Sequence, residues 1–408
     1  MTAWPTVPLW SVAQRVDRIN RPDAELLSVY RDWGVIRKAD RDDNFNKPSD
    51  DLSTYKYVEQ GDLVLNKMKT WQGSLGVSPY EGIVSPAYFV CSVSPKVYGR
   101  FLHHLLRSHA YIAKFEASSK GIRTNQWDLS YDELRKIPVL LPSLEEQRRI
   151  ADFLDDRVAR IDQIIAARRS QIELLMNASR ARLQDLQDEW SAKHGSTRLG
   201  RTLRGLEQGW SPQAEAVPAA LDEWGVMRAG CVNGGVFRED DNKRLPDGLE
   251  PETRYEIRPG DLLMSRASGS LDLIGSVAVV PSSVRGRLLL CDKVYRLSPD
   301  VGWSSSFLAT TLRSHKNREL IRLGVSGAEG MANNLPSGVI RGLVVPNVPL
   351  GQQEVSTSIA SEVESEARSG AAWLAASVGL LGECKQSLIT AAVTGEIDVT
   401  TAGSGIPG

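Results

Sequence analysis

Two stretches of this chain repeat one another at long range. Leu106-Arg107-Ser108-His109 returns as Leu312-Arg313-Ser314-His315, and Phe101, Gly121, Leu144 and Gln147 return as Phe307, Gly327, Leu350 and Gln353, all at one shift of roughly 206 positions. A fixed period over so long a distance constrains the fold more than any local motif, and two copies mean a duplication rather than a solenoid. Upstream the shift shrinks. Gly61-Asp62 pairs with Gly260-Asp261, and Trp33-Gly34-Val35-Ile36-Arg37 pairs with Trp224-Gly225-Val226-Met227-Arg228, so insertions accumulate while the order of landmarks holds. Each half therefore reads as one globular domain followed by one helical arm. The expected boundaries are 1–142 and 143–195 for the first domain and arm, 196–347 and 348–399 for the second, and 400–408 for a flexible tail.

The globular parts read as mixed α/β (α+β). Short strands are expected at Tyr57-Val58, from Gly61 to Leu65 and from Ala87 to Val93, because β-formers there are bounded by Gly, Pro and Asp clusters. Phe101, Leu102, Leu105, Leu106 and Ile112 recur at helical spacing and predict a helix over Tyr98 to Phe115. The second half repeats the plan, with strands at Gly260 to Met264 and Leu288 to Cys291 and a helix over Phe307 to Leu323.

The arms carry the longest pattern. No Gly or Pro falls between Leu144 and Gly195, and Ser143 with Glu146 three residues on is a capping-box signature. A helix of about 45 residues at about 1.5 Å each reaches about 70 Å. Its heptad seam is Leu154, Val158, Ile161, Ile165, Arg168, Ile172, Leu175, Ser179, Arg182 and Leu186. A seam this long needs an equally long partner. The second arm offers Ala360, Glu364, Ala367, Ala371, Leu374, Val378, Leu381, Lys385, Leu388 and Ala392. With a whole domain between them the two arms can pair as an antiparallel coiled coil and hold the domains at opposite ends of a rod. Gly370, Gly379 and Gly382 each cost the second arm about 1 kcal/mol against alanine, so its partner must hold it; Gly395 reads as its C-cap.

Composition sets the remaining bounds. With 408 residues, 41% apolar and 24% charged, each half can bury a core. The net charge of -1, and about +3 over residues 1–142, restricts any nucleic-acid footprint to a local patch. Cys91, Cys231, Cys291 and Cys384 are scattered, which argues for buried free thiols rather than a zinc site or disulfides. With no leader-like start and no apolar run of about 18 residues, a soluble cytoplasmic protein without membrane contact is expected.

Catalytic signatures are missing. There is no G-x-x-x-x-G-K-[ST] phosphate loop, no Asn/Asp-Pro-Pro-Tyr tetrapeptide and no metal-ligand spacing around His103, His104 or His109, so no cofactor or metal is called for. Asp222 with Asp241-Asn242-Lys243 imitates a nuclease carboxylate pair, but it has no counterpart in the other half and reads more simply as a solvated turn. Duplicated domains without a duplicated catalytic set suggest two binding heads.

Candidate readers lie at matching places. The first half has Lys67-Met68-Lys69-Thr70-Trp71-Gln72-Gly73-Ser74 and the second Arg266-Ala267-Ser268-Gly269-Ser270, with Lys67 and Arg266 at the same offset from the Gly-Asp pairs. A later loop combines Arg123, Asn125 and Trp127; its counterpart ends in Asn333 and Asn334. Cations contact phosphates or guanine, and amides and hydroxyls read other base edges. A solvated loop is the bland alternative for each.

In this layout the chain resembles the specificity subunit of type I restriction-modification systems. The resemblance is carried by the paired halves, the Trp-Gly-Val-x-Arg and Gly-Asp-Leu motifs, Ile137 to Ile150 leading into the first arm (IPVLLPSLEEQRRI), and Leu388 to Val399 at the end of the second (LITAAVTGEIDV). Val348-Pro349-Leu350-Gly351-Gln352-Gln353-Glu354 departs from the pattern by losing both glutamates. The resemblance implies two target-recognition domains reading the halves of a split double-stranded DNA site. It implies arms that set the spacer and dock two modification (methyltransferase) subunits, with restriction (translocase and nuclease) subunits joining, and chemistry that resides in those partners. Two rivals stand beside it: a coiled-coil adaptor binding proteins, and a self-contained metal-dependent nuclease.

Overall fold

The computed structural model describes residues 4–41, 48–49, 51–120, 127–325 and 333–400. The chain divides into two compact units, Met1–Arg169 with Ala375–Gly408, and Ser170–Leu374. Each contains one globular head and parts of both arm helices.

The first head is built on a four-stranded antiparallel sheet in the order Ala13–Arg15, Tyr88–Val93, Leu63–Asn66, Leu75–Val77. The second has Leu203–Gln208, Val294–Pro299, Leu262–Ser265 and Val277–Val279 in the same order. Register is duplicated as well: Leu65 lies opposite Phe89, and Met264 opposite Tyr295. The repeat seen in the sequence is thus a repeat of topology. Each head is closed by a two-stranded pair, Thr6–Pro8 with Pro138–Leu140 and Ser196–Arg198 with Val344–Pro346.

The expected helix over Tyr98 to Phe115 is two helices, Gly99–Arg107 and His109–Ser118, and its counterpart divides into Ser305–Leu312 and His315–Gly324. Both breaks fall in the repeated Leu-Arg-Ser-His tetrapeptide. Ser108 and Ser314 have extended backbone; the Ser314 hydroxyl accepts from Asn317 N, and the Ser108 hydroxyl donates to Leu105 O at 2.7 Å. Serine competes with the helix for backbone partners, so a periodic apolar pattern can run through a serine at which the backbone turns. Phe101, Leu102, Leu105 and Leu106 are buried, as are Phe307, Leu308 and Leu312.

The Gly-Asp pairs are turns. Gly61 and Gly260 have φ of 95° and 84°, where a side chain would be strained. The following aspartate closes each turn: Asp62 accepts from Glu59 N and Asp261 from Arg258 N, both at 2.9 Å. Upstream the heads diverge. In the first, Gly34–Arg37 forms a hairpin with Leu27–Tyr30; in the second, Gly225–Met227 pairs antiparallel with Asn242–Arg244 and parallel with Leu288–Leu289.

The arm helices span Leu144–His194 and Leu350–Thr394. The Ser143 hydroxyl accepts from Glu146 N at 3.2 Å, as the capping signature requires. In the first unit Lys385 bonds Asp162 at 2.6 Å; in the second the Leu175 methyl faces Gly370, and Ser179 lies against Val363. Partner numbers fall as arm numbers rise, so the arms run antiparallel. Leu154 is fully buried, and Val158, Ile161, Ile165, Ile172, Leu175, Val378, Leu381 and Leu388 are half-buried. Leu374 is buried. One seam position is corrected: Arg182 is exposed, and Leu183 with Leu186 is buried instead. There the helix leaves its heptad to pack on the second head, where Trp190 stacks on Phe307 with ring centroids 5.8 Å apart.

Gly395 ends the second arm with φ of 77°, and a Cβ on it would lie 3.1 Å from the Trp4 ring. Ile389, Ala392 and Val393 enter the core of the first head. Of the four free thiols Cys91, Cys231 and Cys291 are buried, but Cys384 is exposed on the second arm. No helix among the described residues is long and apolar enough to cross a membrane.

Candidate nucleic-acid interface

Lys67 and Arg266 occupy the same place in their heads. Each follows the third strand of its sheet in spatial order, and each lies over the aromatic ring at the matching position of the neighbouring strand. Lys67 Nζ is 5.1 Å from the Phe89 centroid and the Arg266 guanidinium 5.9 Å from that of Tyr295. The polar heads are bonded within the fold. Lys67 donates to Pro86 O, while Arg266 donates to the Tyr295 hydroxyl at 3.1 Å and to Asp292 O. Burial, with Lys56 and Arg15 nearby, lowers the Lys67 pKa from its ordinary value. The backbone carbonyls complete the likeness: Lys67 O accepts from Leu129 N at 3.1 Å and Arg266 O from Leu335 N at 2.9 Å. In both heads this residue ties the first candidate loop to the end of the second.

The other first-loop candidates stand differently. Lys69 and Gln72 are exposed, whereas Trp71 is half-buried, donates to Met68 O and stacks on Trp127 at 5.2 Å. A short 3-10 turn at Thr70–Gln72 fixes the backbone, with Gly73 left-handed at φ 92° and Thr70 Oγ1 donating to Asn66 O at 2.6 Å. Arg123 and Asn125 lie outside the described residues. In the second head Ser268 pairs with Asn333 and Ala267 with Asn334, and the Ser268 hydroxyl accepts from Ser270 N. The structure thus brings Ser268, Ser270, Asn333 and Asn334 together beside Arg266.

A residue given no role above organises the first head. Arg107 is largely buried and donates to Leu75 O at 2.9 Å, to Arg31 O at 2.7 Å and to Tyr30 O at 3.4 Å, and burial pushes its pKa down to about 10. It bolts the Leu27–Arg37 hairpin to the sheet. The equivalent Arg313 instead forms a two-pronged pair with Glu364 on the second arm, 3.1 Å at each oxygen. Membership of the repeated tetrapeptide was the available signal; the divergent partners were not legible. His103 is wedged between Gly34 and Gly76, where an added Cβ would come within 2.9 and 3.1 Å of its ring. His104 Nε2 lies 2.7 Å from Asp155, a carboxylate contact that ligand spacing in the sequence did not reveal.

The nuclease imitation does not assemble. Asp241 faces Arg228 at 4.0 Å, Asp222 accepts from Arg287 through its backbone oxygen, and Asn242 is buried with its amide spent on Ala219 N and Glu239 O. Among the described residues no three His, Cys, Asp or Glu side chains are grouped to hold a metal.

Residues 32–174 match the family model described as the type I restriction modification DNA specificity domain. Over this stretch the chain is similar to that domain, and the match runs from the hairpin of the first head into the first arm. The chain is also similar to the type I restriction enzyme EcoEI specificity subunit of Escherichia coli, 26% identical over 39% of this chain and 27% of that protein. Its likeness to the EcoKI specificity subunit of E. coli K12 is 25% over 49% and 44% respectively. The match thus spans less than half the length of either relative. The StySPI specificity subunit of Salmonella potsdam is 23% identical over 86% of this chain and 80% of its own. In fold, a chain from a solved type I restriction-modification system covers 97% of this one with a TM-score of 0.70 at 17% identity. The resemblance drawn from the repeat, the arm motifs and the C-terminal segment is borne out.

Proposed function

We propose that the chain is the DNA-specificity subunit of a type I restriction-modification complex, each head reading one half of a bipartite double-stranded site. The observation that carries this reading is the specificity-domain match over 32–174 in a chain whose second head repeats the same sheet order and register. Two heads on one frame with different loops are suited to two different half-sites. On this reading the chain is not catalytic by itself and needs no cofactor. Adenine methylation and ATP-dependent cleavage belong to partners: two modification subunits docked on the arms, and restriction subunits. The arms set the unspecified spacer. Among the loop candidates, Lys69, Gln72, Arg123, Asn125, Ser268, Ser270, Asn333 and Asn334 are assigned to DNA, and Lys67, Trp71 and Arg266 to holding the loops that carry them.

The test is to map methylated adenines in a host expressing this chain with its methyltransferase partner, with and without the chain. Methylation at one split motif that disappears without the chain is the expected result. An unchanged methylation pattern overturns the reading.

A further inference from the structure

Two adjoining cavities open on the first head, of about 690 and 330 Å³. They share Asn66, Lys69, Gln72 and Tyr88 as walls, and Tyr30 and Trp33 line the smaller one. Together they form a cleft between the Leu27–Arg37 hairpin and the loop from Lys67 to Ser74.

Four properties suit this cleft to a base edge. First, Lys69 and Gln72 are exposed, and no described residue takes a hydrogen bond from either side chain, so an ammonium and an amide are available at the shared wall. Second, the loop beneath them is rigid: Met68 N donates to the Asn66 side chain, Ser74 N donates to Lys69 O, and Trp71 is anchored on Trp127. A pre-set donor loses less freedom on binding than a mobile one. Third, the buried Tyr30 hydroxyl has no hydrogen-bond partner among the described residues, and Trp33 on the same wall is 64% exposed and open to a ligand. Fourth, Arg107 fixes the distance between the walls through its bonds to Arg31 O and Leu75 O.

The second head lacks this arrangement. Arg313 is spent on Glu364, and a cavity of the second head, lined by Glu239, Asp240 and Asp241 beside Arg238, lies away from the Arg266 to Ser270 loop and carries a sign of charge that disfavours a polyanion.

We propose that this cleft is the base-reading subsite of the first head, with Gln72 and Lys69 as the specificity-determining donors, Trp33 as a packing surface for a base or its sugar, and Arg107 as the positioning residue. Bidentate amide contacts favour adenine, and a lysine ammonium favours the acceptors of guanine. The cleft is therefore suited to purine edges within one half-site. This rests on the DNA-specificity reading above.

The experiment is selection from a pool of random-sequence duplex DNA by the full chain purified with its methyltransferase partner, comparing wild type with Gln72→Ala and Lys69→Met. Both side chains are exposed, and thermal melting verifies that the variants fold. Arg107→Lys, which keeps the charge but loses the two-pronged reach, is the positioning test. Wild type should enrich a two-part motif. The Gln72 and Lys69 variants should lose roughly tenfold or more discrimination at one or two positions of one half only, with the other half unchanged. Arg107→Lys should relax the same positions. If the variants enrich the wild-type motif with undiminished stringency, or lose stringency uniformly in both halves, the cleft is not the reader and the DNA-specificity reading stands without it. If wild type enriches no motif, that reading falls and the subsite with it.

Discussion

The side-chain oxygen of Gln147 accepts a hydrogen bond from the backbone amide of Tyr98 at 2.8 Å, and 206 positions later Gln353 accepts from Ser304 N at the same 2.8 Å. The likeness extends to the donor side. Gln147 Nε2 donates to Pro142 O at 2.9 Å and Lys96 O at 3.4 Å; Gln353 Nε2 donates to Val348 O and Gly302 O, both at 2.9 Å. Both amides are fully buried. Each joins the first turn of an arm to the segment that starts the head's long helix pair, so the arms begin alike although their flanking glutamates differ.

This predicts a large cost for a small change. Replacing Gln147 or Gln353 by Ala strands one buried N–H and two carbonyls and leaves a cavity. At about 1 to 3 kcal/mol for each uncompensated buried group, partly relieved by water, about 2 to 4 kcal/mol should be lost at either site. Urea titration of the purified variants measures it, and a loss below about 1 kcal/mol contradicts the account. Replacing the neighbouring exposed Glu145 or Gln352 by Ala should cost little.

Acid should weaken the first head selectively. Burial, with Arg107 and the other histidine's ring adding to it, pushes His103 down to about 3; burial with Arg107 and Arg100 pushes His104 down to about 4, so both are neutral at pH 7. The neutral His104 ring then donates from Nε2 to Asp155. Their folded values lie below the unfolded value of about 6.5, so the unfolded chain binds more protons between those limits. Stability from His103 is therefore complete above about pH 6.5 and falls as pH drops toward 4, whereas the Asp155 carboxylate 2.7 Å from His104 favours the charged ring and offsets that residue's share. The corresponding residues of the second head are Ala309 and Thr310. Hydrogen exchange corrected for intrinsic rates should show residues 99–118 losing protection between pH 6.5 and 4 before residues 305–324 do. Simultaneous loss in both heads would rule out this assignment.

The sequence made the frame legible and the cleft illegible, for physical reasons. Repeated apolar spacing announced the helices and strands, because burial imposes period 3.6 or 2 on whatever residues supply it. A single serine then broke each helix where periodicity alone ran on. Arg107 and Arg313 occupy equivalent positions, yet one is spent on carbonyls of the Leu27–Arg37 hairpin and its sheet and the other on Glu364, 51 residues away. The hairpin lies where the register drifts from the period, and Glu364 stands where the first arm has Val158, so neither partner follows from the repeat. Lys67 and Arg266 illustrate the reverse: their equal offset suggested a shared task, and the ring beneath each became visible only once Phe89 and Tyr295 were in register.

The second arm can be stabilised at chosen glycines. An added Cβ meets nothing within 4 Å at Gly379 or Gly382, whereas at Gly370 it would come within 2.7 Å of a Leu175 methyl. Alanine at either of the first two should raise stability by about 0.5 to 1 kcal/mol through helix propensity. At Gly370 the same change must displace Leu175, offsetting the gain. Thermal melts of the three single variants should rank Gly370→Ala lowest; equal gains at all three would mean that Gly370 and Leu175 are not in contact.

Lys67→Ala and Arg266→Ala should act on folding as well as on DNA. Each side chain contributes a cation over an aromatic ring and hydrogen bonds to groups of its own head, interactions worth about 0.5 to 2 kcal/mol together where half-buried. Removing Arg266 also leaves the Tyr295 hydroxyl and Asp292 O without this donor, so the second head should lose about 1 to 2 kcal/mol, measured by urea titration. Lys67 bonds a single carbonyl and should cost less. If either residue served DNA alone, stability would be unchanged and affinity would fall by about 1 to 3 kcal/mol at the matching half-site. If it holds its loop, stability falls, and the conservative exchanges Lys67→Arg and Arg266→Lys, which keep a cation over the ring, restore most of it. Measuring melting and half-site affinity on the same four variants separates the two roles, because a loop anchor loses both together and a pure DNA contact loses affinity alone.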